Sequence, residues 1–266
     1  MSYSLPMRAL QALRRKPGAK LFQENLDNVL SASTPLPEKT WLLAEMDTSA
    51  AALRALADRW RELAMLDLSP TGAYFSQGRT HSGIACLWNA YNTYSEVLDR
   101  SELTQHGIKP QKQISKPHAC LLEAYETFFE QAMGRNRQRT ASPSPQLGLN
   151  LKDVARVLDA PSLIQDACDY FLSHPKARVC DLYGAMGLHP RTAERRFAAE
   201  GLAAVKIKRA CAVSSAGQYI LWSNLSLADI AQRFGYTDTA HLHHEFKRST
   251  GGIPPSVYRQ AGRLSH

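Results

Sequence analysis

The chain has 266 residues, 44% of them hydrophobic, and a formal net charge of +8 at pH 7, so it is long enough for two domains, each with its own core. The sequence shows neither a run of about 18 apolar residues nor the charged-then-apolar order of a secretory signal, which predicts no membrane span and a place in the cytoplasm. The positive charge fits an anionic partner but is weak support for one, because modest basicity is common.

The region before residue 135 is predicted to be mainly helical. Apolar residues at spacings of three and four mark stripes over 53–64 and 120–133, and 7–13 and 84–98 are further candidates. Alternation with a period of two is scarce, and repeated hairpin signals are absent from the sequence. We therefore predict that residues 1–134 form a helical N-terminal domain with a regulatory or dimerisation role.

Residues 135–150 are predicted to be a linker. The stretch begins with three arginines, continues with two prolines among polar residues, and has no apolar stripe. Its arginines could contact the phosphates of an anionic partner, but a solvated tether is the simpler interpretation. The linker leads into a second domain, residues 151–266.

The most informative part of this second domain begins at residue 227. Residues 227–234 place apolar side chains on one helix face, and Gly235 follows directly, a residue type that ends a helix sharply because it adopts positive φ at no steric cost. Asp238 or Thr237 can cap the next helix, and Pro255 starts a third. The side chains that face inward from the second helix are predicted to be Leu242 and Phe246.

An upstream segment repeats this pattern, so the sequence predicts two helix-turn-helix units, at about 179–200 and 227–249. Pro190 occupies the first helical position of the upstream copy, which suits proline because its missing N–H would be unpaired there. Helical spacing of apolar residues between the copies predicts a long joining helix. The corresponding residues in the two copies are Leu182 and Ile230, Gly187 and Gly235, and Phe197 and Phe246.

The outer faces of the second helix in each unit carry small, polar or cationic side chains, which suit base edges and phosphates. Arg195 can bond both acceptors of guanine or merely pair with a surface carboxylate; Glu194 can accept from cytosine or merely shape the face. Arg196 and Lys247 suit phosphates better. The predicted DNA-binding residues are Arg191, Thr192, Glu194, Arg195, Arg196, Thr239, Ala240, His241, His243, His244 and Lys247.

Residues from about 160 to 260 resemble the DNA-binding domain of the AraC/XylS family of bacterial transcription regulators. The resemblance implies a mainly α fold in which a long linker helix joins two helix-turn-helix units that enter successive major grooves, about 34 Å apart. The residues that carry it are Ile230-Ala231, Gly235-Tyr236, Phe246-Lys247, Pro255, Tyr258-Arg259, Leu182, Gly187, Arg195-Arg196-Phe197 and Gly201.

The resemblance also implies a function. It points to a sequence-specific activator that binds promoter DNA on the nucleoid and recruits RNA polymerase, with repression left open. Many members carry a β-rich effector domain, whereas residues 1–134 are predicted to be helical. Whether these residues bind a small-molecule or protein effector, or form a homodimer, is left open by the sequence. His244 stands where the family commonly has arginine, which motivates an alternative: a protein-interaction or anti-activator module that does not bind DNA specifically.

Other chemistry is not predicted. His241, His243 and His244 lack a cysteine or acidic partner at metal-ligand spacing. The five cysteines are scattered and odd in number, so we expect reduced core residues rather than disulfides or a zinc site. Phosphate-loop, nucleophile-elbow and zincin motifs are missing from the sequence, and Cys86 alone is a weak candidate nucleophile. The expectation is a protein without catalytic activity, metal or cofactor.

Overall fold

The structure, a computed structural model, describes residues 19–30, 49, 51–52, 54–55, 57–58, 69–76, 80–94, 101–113, 116–136 and 150–265. Its elements are α1 (Ala19–Leu30), α2 (Pro70–Ser76), α3 (His81–Tyr94), β1 (Ser101–Thr104), β2 (Gly107–Pro110), α4 (Lys116–Asn136), α5 (Leu151–Val157), α6 (Ser162–Ser173), α7 (Val179–Ala185), α8 (Pro190–Ala199), α9 (Ala204–Trp222), α10 (Leu227–Arg233), α11 (Thr239–Ser249) and α12 (Pro255–Arg263).

The prediction of a mainly helical chain is confirmed. Helix α4 covers the predicted helix at 120–133, and α3 covers 84–94 of the candidate at 84–98. The candidate at 7–13, most of the stripe at 53–64 and most of the predicted linker lie outside the described residues.

A short antiparallel hairpin interrupts the helices and was not predicted. Strands β1 and β2 pair from Ser101 with Pro110 to Thr104 with Gly107. Side chains of α3 hold β1: Asn89 accepts from the Leu103 N–H at 2.9 Å, and Asn92 accepts from the Ser101 N–H at 2.8 Å. Strands of four residues are too short for an alternating pattern to stand out in the sequence.

The local signals of the two helix-turn-helix units act as predicted. Gly187 and Gly235 end α7 and α10 in the left-handed region, with φ of +64° and +76°. Pro190 is the first residue of α8. The carboxylate of Asp238 caps α11 by accepting from the His241 N–H at 2.8 Å. The long helix predicted between the units is α9.

Two hydrophobic cores stabilise the described part of the chain. The first combines α1 with α5 to α8 and the N-terminal half of α9, and Phe22 and Leu26 of α1 are buried in it beside Phe197. The second combines α2, α3, α4 and the hairpin with the C-terminal half of α9 and with α10 to α12; it includes Tyr74 and Phe246.

Both cores therefore contain residues from before and after 135–150. The expectation that each domain has a core of its own is wrong for the described residues. The physical reason is that the apolar face of α1 is buried among the helices of the first unit, while α3 packs against α12 of the second. The boundaries at 134 and 150 themselves stay a prediction.

The cysteines do not all lie in the cores. Cys120, Cys168 and Cys211 are buried, but Cys86 is half-buried and Cys180 is exposed. The expectation of five core residues is therefore wrong for Cys180, whose position at the start of α7 faces solvent. Of the helices in the described ranges, none combines the length and the apolar character needed to cross a bilayer.

Candidate DNA-binding surface

The first unit presents the outer face of α8. Ala193 and Phe197 face inward with exposures of 0% and 1%, and Phe197 lies 6.2 Å, between ring centroids, from buried Tyr183 of α7. Burial of one such aromatic side chain stabilises the fold by about 1.5–3 kcal/mol. The burial of Ala193 and Phe197 therefore decides which face of α8 is turned outward. The predicted residues are then exposed, apart from half-buried Thr192: Arg191, Glu194, Arg195 and Arg196.

The second unit presents the outer face of α11 in the same way. Leu242 and Phe246 are fully buried, and the Phe246 ring packs edge-on against Tyr258 of α12, with centroids 5.1 Å apart. Most of the predicted residues of this unit are exposed: Thr239, Ala240, His241, His244 and Lys247.

His243 differs from its neighbours on α11. The residue is half-buried, and its Nε2 atom is buried without a hydrogen-bond partner among the described residues. His241, in contrast, is exposed and held in place: its ring lies edge-on to Tyr236 at 5.3 Å, and its Nδ1 is 3.2 Å from the hydroxyl oxygen of Thr237. Burial, with a further contribution from nearby Glu245, raises the pKa of the Tyr236 hydroxyl, so that hydroxyl stays protonated.

An ion cluster centred on buried Glu245 supports the inner side of α11, and sequence reasoning missed it. Glu245 accepts from Arg209 of α9, whose Nε and Nη2 lie 3.1 and 2.8 Å from Oε2. The same oxygen accepts from Nη2 of Arg248 at 2.9 Å. The signal was present in the sequence, since residue 245 lies three positions after inward-facing Leu242, where a lone carboxylate would need charged partners.

Arg248 extends this cluster to the N-terminal region. Its Nε donates to the carbonyl oxygen of Leu30, at the end of α1, at 3.1 Å. Further along α1, Gln23 donates to the carbonyl oxygen of Gly201 at 2.7 Å, and Asp27 pairs with Lys206 at 2.9 Å. Helix α1 therefore contacts the end of α8, the start of α9 and the end of α11.

The turn of the second unit lies close to the loop that precedes the first. A Cβ atom at Gly235 would lie 2.8 Å from the carbonyl oxygen of Pro175, in the loop between α6 and α7. A side chain has no room there, and the positive φ of Gly235 also disfavours one. Together with α9, this close approach connects the two units.

Two other kinds of chemistry, metal binding and nucleophilic catalysis by Cys86, can be compared with the structure. Within the described ranges, no group of three or more His, Cys, Asp and Glu side chains could hold a metal ion. Burial raises the pKa of the Cys86 thiol, which disfavours the thiolate that a nucleophile needs.

A comparison with family models places a similarity in this same region. A family model described as a helix-turn-helix domain matches residues 182–261. Transcriptional activator NphR of Rhodococcus sp. is 29% identical over 121 residues, which are 46% of this chain and 36% of that protein. The regulator VirS of Mycobacterium tuberculosis is 34% identical over 80 residues, which are 30% of this chain and 23% of that protein. The chain thus matches well under two thirds of either relative.

A solved structure, the transcriptional regulator CdpR from Pseudomonas aeruginosa, aligns over 98% of this chain and 99% of its own, with 14% identity and a TM-score of 0.35. A TM-score of this size does not establish a shared fold.

Proposed function

We propose that this chain, whose residues 182–261 match a helix-turn-helix family model, is a sequence-specific DNA-binding transcription regulator of the AraC type. The observation that carries the proposal is the duplicated unit. In each copy a buried apolar pair fixes the second helix and leaves polar and cationic side chains on its outer face. One helix, α9, joins the copies and would hold α8 and α11 at a fixed separation for two successive grooves.

In the proposed complex, α8 and α11 read base edges in successive major grooves. Arg195 would bond bidentately to guanine, the commonest specific contact of arginine in the major groove. Arg196 and Lys247 would neutralise phosphates and so provide affinity without sequence preference. His243 is half-buried and would contribute less than its exposed neighbours. The remaining base-edge contacts would come from Arg191, Thr192, Glu194, Thr239, Ala240, His241 and His244.

At the level of regulation, we propose a bacterial activator that works in the cytoplasm on promoter DNA and contacts RNA polymerase. One relative is named a transcriptional activator, which supports activation over repression. The N-terminal region, including α1 to α4, would receive an effector or a second copy of the chain. No catalytic activity is part of this proposal, because regulators of this type are typically not enzymes.

The test is a salt titration of DNA binding by the full chain. Sites are first selected from a random duplex library, and the affinity for the best site and for an unrelated duplex is measured by fluorescence anisotropy between 50 and 200 mM KCl. A DNA reader loses affinity steeply with salt for both duplexes and keeps an advantage of about 10³-fold or more for the selected site.

The alternative is the protein-interaction or anti-activator module. The observation that favours it is His244 on the exposed face of α11, because an imidazole lacks the permanent charge and the two-nitrogen fork with which arginine binds phosphate and guanine. Failure to select any site, or equal affinity for selected and unrelated duplexes, would support this alternative and contradict the proposed function.

A further inference from the structure

Arg259, on α12, has an unusual guanidinium group. The residue is half-buried, and its Nε and Nη2 atoms are buried with no hydrogen-bond partner in the part of the chain that the structure describes. Buried polar groups almost always have a partner, and an unpaired buried cation is more costly than an unpaired neutral group. These two atoms therefore need an explanation.

The two atoms form one edge of the guanidinium. Nε–H and Nη2–H point in parallel and make the fork that binds two oxygens, or two lone pairs of one oxygen, of an anion. Arg209 shows this use in the same protein, since its Nε and Nη2 both donate to Oε2 of Glu245. Arg259 has the same donor edge, for which the described residues provide no acceptor.

The charged surroundings of Arg259 also favour an anion. Burial lowers the pKa of Arg259, and repulsion from Arg263 lowers it further; no described carboxylate acts on it in the opposite direction. Arg263 lies one helical turn further on and is exposed. The two arginines repel each other and no described acid offsets this repulsion at Arg259, so an anion shared by both is favoured electrostatically.

The position of Arg259 in the fold is next to the second unit. The preceding residue, Tyr258, is fully buried and packs edge-on against Phe246 of α11. One turn later, a Cβ atom at Gly262 would lie 2.0 Å from the carbonyl oxygen of Leu221. The backbones of α12 and the end of α9 are therefore in close contact. Arg259 is thus carried by a helix that packs on both the joining helix and the second unit.

We propose that Arg259 and Arg263 form a binding site for a phosphate-type oxyanion. In the bound state Arg259 donates its two-nitrogen edge to the anion, which requires this buried edge to become accessible, and Arg263 contributes the second charge. The phosphate belongs either to the backbone of bound DNA or to a small phosphate-bearing molecule. The first source rests on the proposed function, whereas the second does not.

The first experiment uses no DNA. Thermal unfolding of the full chain is followed in inorganic phosphate and in chloride at matched ionic strength, for the wild type, Arg259→Gln, Arg263→Gln and, as control, Arg156→Gln, which replaces an exposed arginine on α5. A free-phosphate site predicts that phosphate raises the melting temperature of the wild type and the control, and raises it less or not at all in the other two variants.

The second experiment measures the salt dependence of DNA affinity for the same four proteins. A backbone phosphate at this site predicts that Arg259→Gln lowers the slope of log affinity against log salt concentration by about 0.9, while Arg156→Gln keeps the wild-type slope. Arg259→Lys keeps the charge but loses the two-nitrogen edge, so it is expected to retain most of the slope and to bind less tightly.

The outcomes separate this site from the proposed function. If phosphate shifts the melting temperature of all four proteins equally and the slope of Arg259→Gln equals that of the wild type, the site is refuted even though DNA binds. If the wild type binds no DNA, the proposed function fails, and the phosphate experiment alone then decides for or against the site.

Discussion

Glu245 of α11 and Arg209 of α9 form an ion pair in which both Nε and Nη2 of the arginine donate to one carboxylate oxygen, at 3.1 and 2.8 Å. The Glu245 side chain is only 10% exposed, whereas that of Arg209 is 38% exposed. The pair connects the helix that joins the two units to the helix that presents His241 and His244. Together with buried Leu242 and Phe246 it therefore sets which side of α11 is turned outward.

Replacing Glu245 tests this relationship. We expect Glu245→Ala to lower the free energy of unfolding by about 1–3 kcal/mol, because it removes charge-assisted hydrogen bonds and leaves two arginines without their acceptor. The partial exposure of both arginines keeps the cost below that of a fully buried pair. Urea denaturation followed by circular dichroism measures it. Glu194→Ala, on the exposed face of α8, is the control and is expected to change stability by no more than about 0.5 kcal/mol.

The two turn glycines make a matched pair. Gly187 and Gly235 both have positive φ, so alanine at either position is expected to cost about 1–2 kcal/mol. A Cβ at Gly187 would meet nothing within 4 Å, but at Gly235 it would lie 2.8 Å from the Pro175 carbonyl oxygen. We expect Gly235→Ala to cost about 1–3 kcal/mol more than Gly187→Ala. Equal melting temperatures of the two variants would contradict the close approach of the second turn to the loop before the first unit.

The shared first core predicts that α1 stabilises the first unit. Leu26 is fully buried among the helices of that unit, so Leu26→Ala is expected to reduce the free energy of unfolding by about 2–5 kcal/mol. Val157→Ala is the control, because Val157 is 60% exposed and is expected to change stability by no more than about 0.5 kcal/mol. A neutral effect of Leu26→Ala in chemical denaturation would show that α1 folds independently of the first unit.

Arg195 tests the reading role of α8. Under the proposed function, Arg195→Ala is expected to lower affinity for the selected site by about 1–3 kcal/mol and to relax the preference at one base pair. Arg156→Ala removes an equal charge from the exposed side of α5 and is expected to keep the preference. Site selection with both variants is the measurement. An unchanged base preference in Arg195→Ala would limit Arg195 to a surface ion pair or a phosphate contact.

His244 tests whether a permanent positive charge on α11 strengthens DNA binding by the second unit. His244→Arg places a permanent charge at the exposed position. We expect tighter binding to the selected site at pH 7 and a salt slope that steepens by up to about 0.9, the value for one added phosphate contact. His244→Gln replaces the imidazole with an uncharged polar side chain and serves as the control. An affinity of His244→Arg equal to that of the control would mean that this face of α11 does not approach the duplex.

The units themselves could be read from the sequence because their signals are local. Gly187 and Gly235 end helices through their own backbone freedom, Asp238 caps α11 with its own carboxylate, and the spacing of Leu242 and Phe246 marks the inner face of a single helix. Each of these features depends on residues within one or two turns of the chain. The exposed side chains on α8 and α11 followed from the same local pattern, but their contact with DNA remains a prediction.

What only the tertiary structure decided involves residues far apart in the chain. The burial of Leu26 of α1 in the core of the first unit, the donation from Arg248 to Leu30 and the approach of Gly235 to Pro175 join segments separated by tens to hundreds of residues. Periodicity reports which face of a helix is apolar, but it does not report what covers that face. For this reason the sequence determined two helix-turn-helix units and a joining helix, while the fold decided that residues from the N-terminal region complete both of their cores.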